Sequence, residues 1–280
     1  MTKNSAFLWQ SGLSFTNENF TMKGIITIII SAVCLIIGYK ADAQNKTQGD
    51  VYLVPDPQTA KWSYIETDSN GKRTATIFNS VESIEGNGVN GSMKLRVEEV
   101  PAGSPKDTTK SFMFYRFKEG ELMVDVSAGF EDNMFDASLD SIVRNTVKEK
   151  HPDLPKDKER EIIEKTKAEL MKVSGEIRGI PRYPKVGKLP DYEFNIKISI
   201  MSMRVRSEER RIVGTERIRT EAGEFDCFIL EETITTKAMM MKDVEKIKSW
   251  YAYGIGMVKE ITYDKNGKLI STMILDKVNW

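Results

Sequence analysis

Two thiols and one imidazole are all this sequence offers for nucleophilic or soft-metal chemistry: Cys34, Cys227 and His151. A cysteine nucleophile needs a base or a positive environment that lowers its pKa. Cys34 lies in a segment read below as lost on export, which leaves Cys227 with His151 as its sole imidazole. His151 sits in "KEKHPDLPKDKE", a charged stretch far along the chain from "FDCFIL". In that strand Cys227 shares parity with Phe225 and Ile229, and free cysteine behaves as a small hydrophobe. Buried packing is therefore expected of Cys227, ahead of an intermolecular disulfide or catalysis.

Metal chemistry fares no better. One Cys and one His give no C-x-x-C or H-x-x-x-H spacing, so neither a metal site nor a cofactor is expected. The loops "DSNGK" (68–72) and "DKNGK" (264–268) lack the carboxylate spacing and closing Glu of an EF-hand and read as hairpin turns. The chain has no G-x-S-x-G elbow, no phosphate-cradling Gly loop and no dinucleotide fingerprint. The pairs Glu208-Glu209 and Glu231-Glu232 are adjacent in strands, where neighbours point to opposite faces, and are read as exposed edges. A non-enzymatic protein is expected, with a carboxylate-based enzyme as the third reading.

The methionines suggest binding. Met201 and Met203 are read as the end of one strand and Met239–Met241 as the end of another, so the two groups need not meet. Met adapts its shape, which suits both core filling and permissive apolar surfaces. If an apolar ligand cavity or partner groove exists, Met201, Met203, Phe225, Ile229, Met239 and Trp250 are its candidate lining.

The elements that must position these residues begin after a leader. In "MKGIITIIISAVCLIIGYKADAQ" (22–44), Lys23 supplies a positive start, Ile25–Ile37 an apolar core, and Ala41-Asp42-Ala43 a small-x-small cleavage pattern. The apolar run is shorter than the roughly twenty residues a spanning helix needs. A signal peptide at 22–43, cleaved before Gln44, is expected, with residues 1–21 an over-called start. A periplasmic or secreted protein follows, not integral to the membrane after cleavage. Loss of residues 1–43 removes Lys3, Lys23 and Lys40 from 41 basic residues and Glu18 and Asp42 from 41 acidic ones, leaving 38 against 39. That balance argues against nucleic acid and against an anionic membrane surface as partners.

Residues 44–280 are expected to form a single β-rich domain. "KWSYIET" (61–67) and "RTATIFNSV" (73–81) alternate around Asn70-Gly71, and "MVKEITY" and "LISTMIL" flank Asn266-Gly267. Asn-Gly favours type I′ hairpins. Two matching hairpins suggest a repeated meander or a sheet closing on itself. Between them lie "SMKLRVEEV", "SFMFYRFK" and "ELMVDV", then longer runs at 192–207, 225–240 and 244–254. From 138 to 172 the period becomes helical: Leu139, Ile142, Val143 and Val147, then Ile162, Ile163, Thr166 and Leu170 after Pro152 and Pro155. The expected fold is mainly β, a curved antiparallel sheet, roll or open barrel with a helical-hairpin insertion at about 138–172.

The segments "RTEAGEFDCFIL" and "KSWYAYGIGMVKEITYDKNGKLISTMIL" resemble the TapB-like family of exported bacterial domains of unknown function. The matching positions are Ala222, Gly223, Phe225 and Cys227; Trp250, Tyr251, Gly254, Gly256 and Val258; and Tyr263, Asp264, Gly267 and Lys268. The Trp62–Tyr64 strand and "YPKVGKLPD" (183–191) also fit, so the likeness spans most of residues 50–279. It implies a mainly β fold and export, and it carries no catalytic residues. The expected function is that of an exported non-enzymatic envelope protein binding an apolar, lipid-like ligand or an envelope polypeptide. A structural or accessory envelope protein with no ligand cavity is the alternative.

Overall fold

Period-two alternation becomes strand over most of the chain, and the strands join a single antiparallel sheet. A computed structural model describes residues 60–86, 90–118, 121–126, 128, 144–145, 147–149, 155–181, 183–198, 201–238 and 241–279. In chain order the strands are β1 (Lys61–Asp68), β2 (Arg73–Gly86), β3 (Gly91–Pro101), β4 (Thr109–Lys118), β5 (Glu121–Val124), β6 (Met171–Gly175) and β7 (Ile177–Pro181). There follow β8 (Gly187–Lys188), β9 (Tyr192–Ile198), β10 (Met201–Thr220), β11 (Gly223–Ala238), β12 (Met241–Ala252), β13 (Gly256–Asp264) and β14 (Leu269–Asn279). Helix α1 (Lys156–Leu170) precedes β6 and buries Ile163 while Lys156, Lys158, Arg160 and Glu161 stay exposed. The expected leader, His151 and Met239 lie outside the described residues.

The strand order is β6-β9-β10-β11-β12-β13-β14-β1-β2-β3-β4-β5-β7, with β8 against β10. The first and last members of that path, β6 and β7, are consecutive in the chain and separated only by Glu176. The backbone itself thus crosses the seam of a nearly closed, barrel-shaped sheet. Gly175 makes the crossing possible. Its φ is +88°, and a Cβ there would collide with the carbonyl oxygen of Glu193 and lie 2.8 Å from Phe194 Cα. Just beyond it, Glu176 N–H donates to Glu193 O at 3.2 Å.

Opposite the seam, β1 pairs with β14, from Lys61 against Asn279 to Asp68 against Ser271. This sets the two Asn-Gly hairpins side by side. Their turns are built alike. Gly71 N–H donates to Asp68 O and Gly267 N–H to Asp264 O, while each Asp carboxylate accepts from the amides two and four residues on. Only the glycines are left-handed, with φ of +75° and +83°. The type I′ expectation is thus corrected: each is a turn closed by a left-handed glycine, with the Asp side chain capping the loop.

A second correction concerns residues 192–207, expected as one strand. They divide into β9 and the start of β10, which pair as a hairpin with Met201 against Ile198 and Met203 against Ile196. Met203 also pairs with Ala238, so the two methionine-bearing strand ends do meet.

The main core draws Trp62, Tyr64, Ile77, Leu95, Tyr115, Phe194, Leu230, Met257 and Leu275, among others, from almost every strand. These side chains form the inward wall. A smaller cluster, Ile218, Cys227, Ile229, Trp250, Ala252 and Val258, covers the other face of β10–β13.

Candidate functional site

The inward wall is mainly apolar; besides the hydroxyls of Ser111, Thr236 and Thr262 and the Ser249–Glu260 pair, in which Ser249 Oγ donates to Glu260 Oε2 at 3.0 Å, it carries three further polar interruptions. The first is on β10. Between Glu208, opposite Thr233, and Arg211, opposite Glu231, the strand carries two residues against the single Glu232 of β11. Glu209 absorbs the extra residue with φ of +58°, the sole described non-glycine with positive φ. This bulge re-aims the chain so that Ser207, Arg210 and Ile212 all point inward. Arg210 is 2% and Glu232 5% exposed.

Arg210 Nε donates to Glu232 Oε2 at 3.0 Å, and Ser207 Oγ donates to the same oxygen at 2.6 Å. The other guanidinium nitrogens donate to Pro190 O at 2.9 Å, Arg178 O at 3.0 Å and Gly179 O at 2.9 Å. Tyr192 lies under the guanidinium carbon, 4.8 Å from ring centroid. Arg178 and Gly179 belong to β7, so this one side chain ties β10 and β11 to the far side of the seam. With its donors engaged on three carbonyls and a carboxylate, the guanidinium serves to hold strands together. The expectation that Glu231 and Glu232 mark an exposed edge is corrected: β11 lies between β10 and β12, and Glu231 is half-buried on the outer face, where it meets Arg211 and Lys248. Glu232 is interior because β11 alternates inward at that position.

The second interruption is Asn79 on β2. It lies between Ile77 and Val81, both in the main core, and opposite Trp62 on β1 and Val97 on β3. It is 2% exposed, and neither Nδ2 nor Oδ1 has a hydrogen-bond partner. The sequence held a signal for it, as the one polar residue at an apolar-parity position in "ATIFNSV".

The third lies near the paired hairpin turns. Glu99 on β3 is pushed above the usual carboxylate range by burial and then by the charge of Glu66 on β1. Glu245 on β12 is pushed up to about 7 by burial and then by Asp243. Asp264 moves the other way, held down first by the backbone amide of Lys268. Among the described residues, no group of three or more His, Cys, Asp or Glu side chains is placed to hold a metal ion.

Cys227 belongs to the outer cluster. It is 1% exposed, and its thiol is pushed up to about 12 by burial and then by Asp226 and Glu216. A thiol so placed is inert at neutral pH. The strand "CFIL" is buried on both faces: Cys227 and Ile229 meet the outer cluster while Phe228 and Leu230 meet the main core.

The candidate lining residues are distributed between the two faces. Ile229 and Trp250 are register partners in the outer cluster. There the Trp250 indole donates to Glu216 Oε2 at 2.7 Å, with Lys259 Nζ 4.9 Å and Lys248 Nζ 5.3 Å from its ring centroid. Met203 packs against the main core, and Phe225 touches both clusters. Met201 is backbone-paired with Ile198.

Residues 164–275 match the family model described as DUF3108-like, a family of unknown function. No curated protein matches the chain. Two solved structures share the architecture. A candidate lipoprotein from Parabacteroides distasonis ATCC 8503 superposes with a TM-score of 0.55 at 16% identity, covering 83% of this chain and 100% of that one. A candidate exported protein with YmcC-like fold from Bacteroides fragilis NCTC 9343 gives 0.52 at 13% identity, covering 87% and 99%. At such identities the likeness shows the fold alone.

Proposed function

We propose that this is an exported, non-enzymatic envelope protein whose barrel-shaped sheet binds an apolar, lipid-like molecule on its inner face. The observation that carries the reading is the inward wall itself, apolar side chains from nearly every strand of a sheet whose two ends meet. Barrels of more than about eight strands enclose more interior than their own side chains need fill. The reading draws on further support. Both structural neighbours are described as exported or lipoprotein-like, the leader at 22–43 has the signal-peptide pattern, and the TapB-like likeness points to the same compartment. No helix among the described residues is long and apolar enough to cross a membrane.

The alternative, an accessory envelope protein with no ligand, has an observation of its own. Leu95, Tyr115 and Phe194 are 0% exposed, as in a wall packed against itself. One experiment separates the two. The protein is purified from its own envelope without detergent and weighed intact by native mass spectrometry, then weighed again after organic extraction. Ligand binding requires an extractable mass above that of the chain beginning at Gln44. A bare chain before extraction would return the protein to the accessory reading, and a chain retaining residues 1–43 would remove the basis for export.

A further inference from the structure

We infer that the inner face around Asn79 is a subsite for the carbonyl of an acyl ester or amide, so the ligand class is an esterified or amide-linked neutral lipid and not a plain hydrocarbon. This rests on the lipid-binding reading above and narrows it. The Asn79 amide is fully formed to make hydrogen bonds, with two N–H donors and a two-lone-pair oxygen, and makes none. A buried amide left unpartnered is destabilising, whereas an aliphatic side chain of similar size would pack against Ile77, Val81 and Val97 without that penalty. Packing therefore gives no reason for an amide at this position; recognition of a polar group does.

The surroundings narrow what that group is. Along the row that crosses β1, β2, β3 and β4, Trp62, Asn79, Val97 and Ser111 are successive register partners. None is a cation, so the row has nothing to neutralise a fatty-acid carboxylate. An ester or amide carbonyl accepts from Nδ2 without bringing charge. A neighbouring hydroxyl or amide N–H of the ligand donates to Oδ1. Monoacylglycerols and ceramide-like amides carry both within a few bonds of an acyl chain, which the apolar wall covers. The Ser111 hydroxyl, two strands from Asn79 and about 10 Å away by strand spacing, offers a second polar contact on the same face.

The test compares the wild-type chain with Asn79→Leu, both stripped by organic extraction, using 1-palmitoylglycerol and hexadecane as probes. Binding is read by native mass spectrometry and by thermal shift. The expected result is that Asn79→Leu binds 1-palmitoylglycerol about tenfold or more weakly, because its carbonyl loses a partner, while hexadecane binds both proteins alike. Stripped Asn79→Leu should also melt about 2–4 °C above stripped wild type, since an unpartnered amide has been removed. Equal affinity of both proteins for 1-palmitoylglycerol overturns the subsite and leaves the lipid reading standing. Failure of wild type to bind either probe removes both. A lower melting temperature for the stripped variant means the amide is already satisfied without ligand, by an internal water for example, and this too overturns the subsite. Asn79→Val, smaller and suited to a strand, carries the same comparison if the Leu variant does not fold.

Discussion

Arg210→Met is the most informative single perturbation of the fold. Met approximates the length of the side chain and keeps it apolar, so the change removes charge and hydrogen bonds more than volume. It strands the Glu232 carboxylate, 5% exposed, with the Ser207 hydroxyl still donating to it. Breaking one partner of a buried pair costs about 3–5 kcal/mol. It also takes the guanidinium donors from the carbonyls of Pro190, Arg178 and Gly179. Leaving such acceptors unpaired adds about 1–3 kcal/mol in total if water reaches some of them. A loss of about 4–8 kcal/mol is comparable with the whole stability of an ordinary domain.

Urea denaturation of Arg210→Met, Glu232→Leu and the double variant measures these contributions separately. The double variant should recover the charge penalty and fall closer to wild type than either single change, with the β7 carbonyls still unpaired. Hydrogen exchange then reports the seam: β7 and β5 amides should exchange faster in Arg210→Met at urea concentrations where β12–β14 stay protected. A single-variant loss below about 1 kcal/mol, the typical net worth of one neutral hydrogen bond, would refute the latch. So would a double variant no better than Arg210→Met, or unchanged β7 exchange.

Gly175→Ala should lower stability by at least about 1–2 kcal/mol from its left-handed backbone alone, and more from the clash with Glu193, read as a lower melting temperature. Cys227 should resist maleimide at pH 8 in the native protein and label fully in denaturant, while Cys227→Ala should cost about 1 kcal/mol in urea midpoint analysis. Rapid native labelling would contradict the buried, high-pKa thiol. Glu245 has a folded pKa raised from 4.5 to about 7, so the protonated form favours the fold. Its contribution is present below about pH 4.5 and lost as pH rises through about 7. Glu245→Gln should flatten that part of a pH–stability profile and exceed wild type in stability at pH 8; a variant with the unchanged profile would assign the slope to other groups.

Much of the sheet was legible because alternation and turn chemistry are local. The Asn-Gly hairpins fall where expected and lie side by side through β1 and β14, while the sheet turns back on itself on the opposite side, at the β6–β7 seam. The turn type was not legible, because the Asp at the head of each loop caps it and only the glycine becomes left-handed. Residues 192–207 read as continuous because the sequence between Ile198 and Met201 contains no glycine or proline. The bulge at Glu209 was hidden for a different reason. It shifts parity by one residue, and no residue type there announces it. With parity lost, Arg210 reads as surface, and its partner Glu232 reads as edge. Of the candidate lining, Ile229 and Trp250 meet in the outer cluster because β11 is covered on both faces, so parity along the strand does not say which core a side chain joins.

The pairing of β1 with β14 also dictates when the protein can finish. Ser63 bonds to Asp276, 213 positions later in the chain. A polypeptide synthesised amino end first presents β1 long before its neighbour arrives. Until β14 emerges, one margin of β1 and one of β13 expose unpaired backbone groups, the templates on which strands join the wrong chain. Such distant pairing also slows folding. Release is therefore coupled to completion: a chain cut short before residue 269 has every other strand in place and still cannot unite the two hairpins. Under the proposed export, that interval sets the demand on any holding chaperone; in any compartment, a carboxy-terminal truncation should be lost to aggregation where an equal trimming of the β10–β11 hairpin tip is not.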